Sequence, residues 1–171
     1  MSGIVNSTGG RSGILGTTVG TPSGGNNEPY CYAYKTSGQA MTSGDNHLMA
    51  WHATVKNVPL GATTAPFDLT NDRFVPQTAG IYWVHVEVDI STGSNHDGDF
   101  KMWLNKNGSM VLHHQEGSWT HYDSCFCAGL IEMNGSTDYV DCYVNQGSGS
   151  TYDTSTGAFQ TRFIAFKLGP E

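Results

Sequence analysis

The sequence predicts an all-β protein of about eight to ten strands, a β-sandwich or jelly roll, and three observations carry that expectation. The chain has 171 residues, of which 37% are hydrophobic, enough for one core and too few residues for a second sizeable domain. Only 13% are charged, about half the usual share, while 22 glycines sit among abundant Ser, Thr and Asn. Aromatic and β-branched runs with period-2 alternation recur between turn signals, and no segment has the Ala/Leu/Glu/Lys richness of a long helix.

Residues 1–28 stand apart. They are rich in Gly, Ser and Thr and contain no aromatic residue, so they cannot bury a core of their own. Their apolar residues come as pairs, Ile4-Val5 and Ile14-Leu15, inside an echo that begins Ser2-Gly-Ile-Val and returns as Ser12-Gly-Ile-Leu ten residues later. A plain Gly-rich linker needs no apolar pairs at a fixed interval. The segment therefore reads as an extended N-terminal arm whose four apolar residues dock on another surface, followed by a head over 29–171.

Within the head, residues 30–34 form the first expected strand. A second is expected over 48–55, before a turn-rich stretch holding Pro59, Gly61 and Pro66. Residues 81–90 alternate most cleanly, with Tyr82, Val84, Val86, Val88 and Ile90 on one face and Trp83, His85, Glu87 and Asp89 on the other. A polar loop over 91–98 leads to a strand over 100–104. Asn107-Gly108 is a hairpin signal, and a strand follows over 110–115. A loop over 117–122 carries Trp119, His121 and Tyr122. Strands are expected over 124–133 and 139–144, joined by a second hairpin signal at Asn134-Gly135. Residues 147–157 read as a Gly/Ser/Thr loop containing Tyr152, and 158–168 as a long final strand with Phe159 and Phe163 opposing Ile164, Phe166 and Leu168.

Order and spacing over residues 29–168 resemble the complement globular-head and tumour necrosis factor-like superfamily. Phe74, Pro76, Gly80 and Tyr82 are similar to its Phe, Pro and Gly-x-Tyr entry into a core strand. Asn107-Gly108 lies where that family has a turn. Gly135 and Asp138 stand apart where it has adjacent Gly-Asp, and Ala165 stands in the final strand where it usually has Gly. The resemblance implies a jelly roll that trimerises about a threefold axis, with Phe74, Gly80, Tyr82, Trp83, Trp103, Phe163 and Phe166 in the head core or the trimer contact. Large apolar residues on both sides of single strands point the same way, because a lone sandwich keeps one face of each sheet polar. The arm resembles the N-termini of virion proteins of marine tailed bacteriophages, which implies a tail fibre engaged in host attachment, or a capsid decoration protein.

Composition bears on other classes. The net charge is −7 and the eight Lys and Arg are scattered, so neither nucleic acid nor an anionic membrane surface is an expected partner. No apolar run is long enough to span a bilayer, and the start has no basic and apolar leader, so synthesis in a host cytoplasm is expected. Cys125 and Cys127 share a strand face, and with Cys31 and Cys142 they read as free buried thiols in preference to a metal site. His113 and His114 face opposite ways. His85 and Glu87 share a face and read as solvent-exposed or hydrogen-bonded side chains in preference to a polar channel on a trimer axis, and the loop Asn95-His-Asp-Gly-Asp99 reads as a polar turn in preference to a calcium loop. No nucleophile elbow, HExxH or phosphate loop occurs. The expectation is a protein without enzymatic activity, cofactor or metal. Trp119, His121, Tyr122 and Tyr152 are its candidate ligand contacts, because loop aromatics among small polar residues grip sugars and proteins. A free lectin-like module with no virion role is the competing reading.

Overall fold

A computed structural model describes residues 28–60, 64–91, 98–117 and 122–168; the arm pairs Ile4-Val5 and Ile14-Leu15, together with Trp119 and His121, lie outside them. Thirteen strands follow in order: β1 Tyr30–Tyr34, β2 Ala40–Thr42, β3 His47–Leu48, β4 Ala53–Val58, β5 Phe67–Asp68, β6 Arg73–Phe74, β7 Ala79–Ser91, β8 Phe100–Lys106, β9 Ser109–Glu116, β10 Tyr122–Asn134, β11 Val140–Gln146, β12 Thr151–Thr154 and β13 Arg162–Lys167. The expected count of about eight to ten grows because five of these span four residues or fewer.

All pairings are antiparallel, and two sheets result. The first runs β2-β12-β7-β13-β1-β4, with β10 also on β7; the second runs β5-β6-β11-β8-β9, with β3 also on β11. This two-layer, all-antiparallel arrangement is a jelly roll. Alternate residues of β7, β13, β8 and β11 point into the space between the sheets, where Tyr82, Val84, Val86, Val88, Phe163, Met102, Leu104, Val140 and Val144 have no exposure. At one end the filling is aromatic. Phe67 and Phe163 meet edge-on at 5.1 Å, Trp51 and Phe163 at 5.8 Å, and Phe74 and Tyr82 at 5.4 Å. The Tyr82 hydroxyl satisfies its polar end by donating to Thr78 O at 2.7 Å.

Four expectations are corrected. Asn134-Gly135 closes no hairpin, because β10 pairs with β7 in the first sheet and β11 with β8 in the second. The strand over 48–55 is broken, because the chain changes sheets there: β3 pairs with β11 in the second sheet and β4 with β1 in the first. Between them Met49 N donates to Cys142 O, Ala50 N to Gln39 Oε1 and Trp51 N to Asp72 Oδ1, so scattered partners replace a ladder. The loop over 147–157 contains β12, which pairs with β2 and β7. The final strand begins only at Arg162; Phe159 lies in the preceding turn, 86% exposed, and Phe163 alone points inward.

Side-chain amides shape the connections. The buried Gln146 donates to Met41 O at 2.9 Å and to Ser150 O at 2.6 Å, and its Oε1 accepts from Ser148 N at 2.9 Å, which folds residues 147–150 around one side chain. Asn134 Oδ1 accepts from the amides of Ser136, Thr137 and Asp138. Gly135, at φ 72°, then passes so close that a Cβ would lie 2.1 Å from Ala79 N. Lys35 is fully buried, its Nζ donating to Ala50 O at 2.7 Å and Gln39 Oε1 at 3.0 Å. Burial brings its pKa down to about 8, against the opposing pull of Asp72.

Candidate association face

The inward set on β7, β10, β13 and β1 fixes, by alternation, which residues stand on the outer side of the first sheet. Register places them in rows across four strands. Leu130, Trp83, Phe166 and Tyr30 form one row, and Ala128, His85, Ile164 and Tyr32 the next. Phe126, Glu87, Arg162 and Tyr34 form the third, and Ile81 pairs with Glu132 beside the first. Leu130 is 60% exposed, Phe126 and Ile81 are each 48% exposed, and Trp83 is 36% exposed. A sheet with one buried face normally turns polar side chains to water on the other; this one turns an apolar strip.

Charge within the strip is paired internally. Arg162 Nη2 lies 2.5 Å from Glu87 Oε2, which also lies 3.8 Å from His85 Nε2. Burial alone would lower the Arg162 pKa, but Glu87 and the Tyr32 hydroxyl together outweigh it and hold the guanidinium above its ordinary value. The Tyr32 hydroxyl also donates to Ala158 O. At the edge, Phe126 is stacked between two imidazoles, His85 at 6.2 Å and His114 of β9 at 5.2 Å, and His114 Nε2 lies 2.5 Å from Glu116 Oε1.

The residues singled out from sequence distribute as follows. Phe74, Tyr82 and Phe163 are core, whereas Trp83 and Phe166 stand on the strip. Gly80, at φ 144°, backs onto Lys167, whose Cε would lie 2.4 Å from an added Cβ. Trp103 stands on the outer side of the other sheet, stacked on Tyr143 with centroids 5.9 Å apart and planes 8° from parallel. Trp83 and Trp103 therefore belong to opposite faces of the molecule. Tyr122 opens β10, and Tyr152 lies half-buried on β12 opposite Met41. Phe126, Leu130 and Tyr32 escaped the sequence reading. The inward cysteines give the signal: if Cys125 and Cys127 share a face, Phe126, Ala128 and Leu130 take the other.

The four cysteines are free and buried. Burial pushes the Cys127 thiol up to about 11 and raises Cys31 and Cys142 further. Among the described residues no three His, Cys, Asp or Glu side chains are placed to hold a metal ion. His85 meets Glu87 beside Arg162, as described, while residues 95–97 lie outside the described set; Asp99 pairs with Lys101 Nζ at 2.5 Å.

No family model and no curated protein matches the chain. Its fold is similar to that of solved structures. Eiger, a TNF from S. frugiperda, is 14% identical with a TM-score of 0.60, over 83% of this chain and 93% of that one. Murine APRIL is 14% identical at TM-scores of 0.57 (pH 5.0) and 0.56 (pH 8.0), over 81% of this chain and 98% of each.

Proposed function

We propose that the protein is a homotrimeric, non-enzymatic structural component of a phage virion, with the head turned outward and residues 1–28 fastening it to the particle. The observation that carries the association is the outer strip Leu130–Trp83–Phe166–Tyr30 with Phe126 and Ile81 beside it. A second copy is its most economical cover, since identical chains supply identical strips at equal concentration. The internal Glu87–Arg162 pair makes closing that cover less costly than it would be over an unpaired charge. The number three follows from the resemblance of residues 29–168 to the tumour necrosis factor-like superfamily. The virion role rests on the arm, with its two apolar pairs ten residues apart. In this role the head is the attachment tip of a tail fibre or a clamp on the capsid.

Sedimentation at micromolar concentration tests the association. A trimer is expected, and Leu130→Glu is expected to yield a folded monomer; a wild-type monomer overturns the proposal. Deleting residues 1–28 is expected to leave the trimer intact and abolish incorporation into particles. Incorporation of the truncated protein refutes the docking role of the arm.

A further inference from the structure

The outer side of the second sheet, opposite the association strip, holds a different chemistry. Its central row is His113, Trp103, Tyr143 and Leu48, read across β9, β8, β11 and β3. Trp103 and Tyr143 are half-buried and nearly parallel. Polar rows flank them. On one side Asn105, Asp141 and Arg73 are register neighbours, and Asp68 continues the row. On the other, Lys101 is the neighbour of Asn145 and Gln115.

These polar groups are held in place by one another. Lys101 Nζ and Gln115 Nε2 both reach Asp99 Oδ2, at 2.5 and 3.0 Å. Asn145 Nδ2 donates to Asp45 O and Asn46 Oδ1, each at 3.0 Å. The Arg73 guanidinium lies 4.8 Å over the Tyr139 ring, and its Nε is 3.9 Å from Asp68 Oδ2. Asp141 is the unusual member. It is only 9% exposed on a face that looks to solvent, and among the described residues its Oδ1 has no hydrogen-bond partner. Burial holds its carboxyl above the usual carboxylate range, with Asn105 and Arg73 pulling the other way. Arg73 Nε is likewise buried without a hydrogen-bond partner. A solvated sheet face has no need of a parallel aromatic pair beside a sequestered carboxylate, and an orphaned polar atom in a packed structure calls for an explanation.

We infer that this face is a saccharide-binding site, with a sugar's C–H face against the Trp103–Tyr143 pair and its hydroxyls on Asp141, Asn105, Arg73 and Asn145. The chemistry selects the class. Asp68 and Asp141 stand in these rows against Arg73 and Lys101, and the Lys101 ammonium is already paired with Asp99, so an anionic ligand such as a phosphate or an acidic sugar is disfavoured. The aromatic pair requires an apolar face, and the orphaned carboxylate oxygen requires a donor. A neutral pyranose supplies both. The inference deepens the outward-facing head proposed above by giving it a ligand class, but binding is measured on the isolated protein and stands or falls without the virion.

The test is titration of the full chain with a panel of neutral hexose and N-acetylhexosamine oligosaccharides, read by intrinsic tryptophan fluorescence and by glycan array. Saturable binding of at least one is expected. Tyr143→Ala and Asp141→Asn are each expected to weaken it at least tenfold, with near-ultraviolet circular dichroism and the melting temperature confirming the fold. Leu130→Glu, on the other face, is expected to leave the intrinsic affinity per chain unchanged. Absence of binding across the panel at millimolar sugar overturns the inference. So does binding that survives both variants, or binding only to acidic glycans. A monomeric protein that still binds sugar retains this site while refuting the trimer; a trimer that binds none does the reverse.

Discussion

Replacing Lys35 by Met is expected to change how stability depends on pH. Lys35 has no solvent exposure, and burial brings its pKa down from 10.5 to about 8. The unfolded chain therefore holds a proton on this residue that the folded chain has released between pH 8 and about 10.5. Below pH 8 both states are charged, and the folded state bears the full cost of the buried ammonium. As pH rises through the window that cost is relieved, so this residue makes wild-type stability rise with pH. With about 1.4 kcal/mol for each tenfold change in proton affinity, the swing is about 3 kcal/mol. At pH 7 the variant gains that amount and loses the bonds to Ala50 O and Gln39 Oε1, each worth about 1 kcal/mol. Gln39 Oε1 keeps a donor in Ala50 N. The variant should thus be about 1 kcal/mol more stable at pH 7 and about 2 kcal/mol less stable near pH 10.5. Urea denaturation at one fixed protein concentration, repeated across that range, reads the difference. Groups that titrate in both proteins, such as Tyr82 with its pKa raised by burial, cancel in it. Parallel curves for the two proteins would refute the assignment of a costly buried charge.

Gly135→Ala should lower stability by about 3 kcal/mol or more, since its φ of 72° disfavours a side chain and the Cβ would run into the backbone of Thr78 and Ala79; a shift in the melting temperature measures this. Asp138 accepts from Lys106, Asn107 and Asn134 N, and these donors hold its carboxyl below the usual range. Asp138→Asn should therefore destabilise at neutral pH, and the deficit should shrink as pH falls below about 4, where the wild type loses the same stabilisation; acid titration of the two proteins checks the sign. An Ellman assay at pH 8 should find all four cysteines unreactive in the native protein and all four reactive in denaturant.

Most of the fold could be read from sequence because its long strands advertise themselves. In β7 every second residue is apolar, and Asn107-Gly108, at φ 53° and 78°, marks a real hairpin between β8 and β9, whereas Asn134-Gly135 turns the chain from β10 in the first sheet to β11 in the second. The rest was hidden for identifiable reasons. β12 is Thr-Tyr-Asp-Thr, a composition shared with loops, and it is a strand only because β2 and β7 lie on either side of it. The break at 49–52 is invisible in alternation, since Met49 and Trp51 stay buried while the backbone leaves one sheet for the other. The association strip was half visible: Trp83 and Phe166 could be seen from their strands, but Leu130 lay in a strand that drew notice only for Cys125 and Cys127. Alternation with Phe100, Met102 and Leu104 turns Trp103 outward. That it faces away from Trp83 depends on which sheet each strand joins, and strand alternation carries no information about that.

The partners of β10 have a consequence for solubility. Along its thirteen residues β10 has β7 on one side and, among the described residues, no ladder partner on the other. It carries no proline, and Asp123 and Glu132 are its only acidic residues. Such a margin is a template onto which any extended chain can grow by strand addition, and its apolar outer residues would reward the growth. A solitary copy accumulating at high concentration would be prone to seed fibrils. In the trimer proposed above, prompt closure of each newly made head against its siblings would withdraw the apolar outer residues beside that margin from such growth.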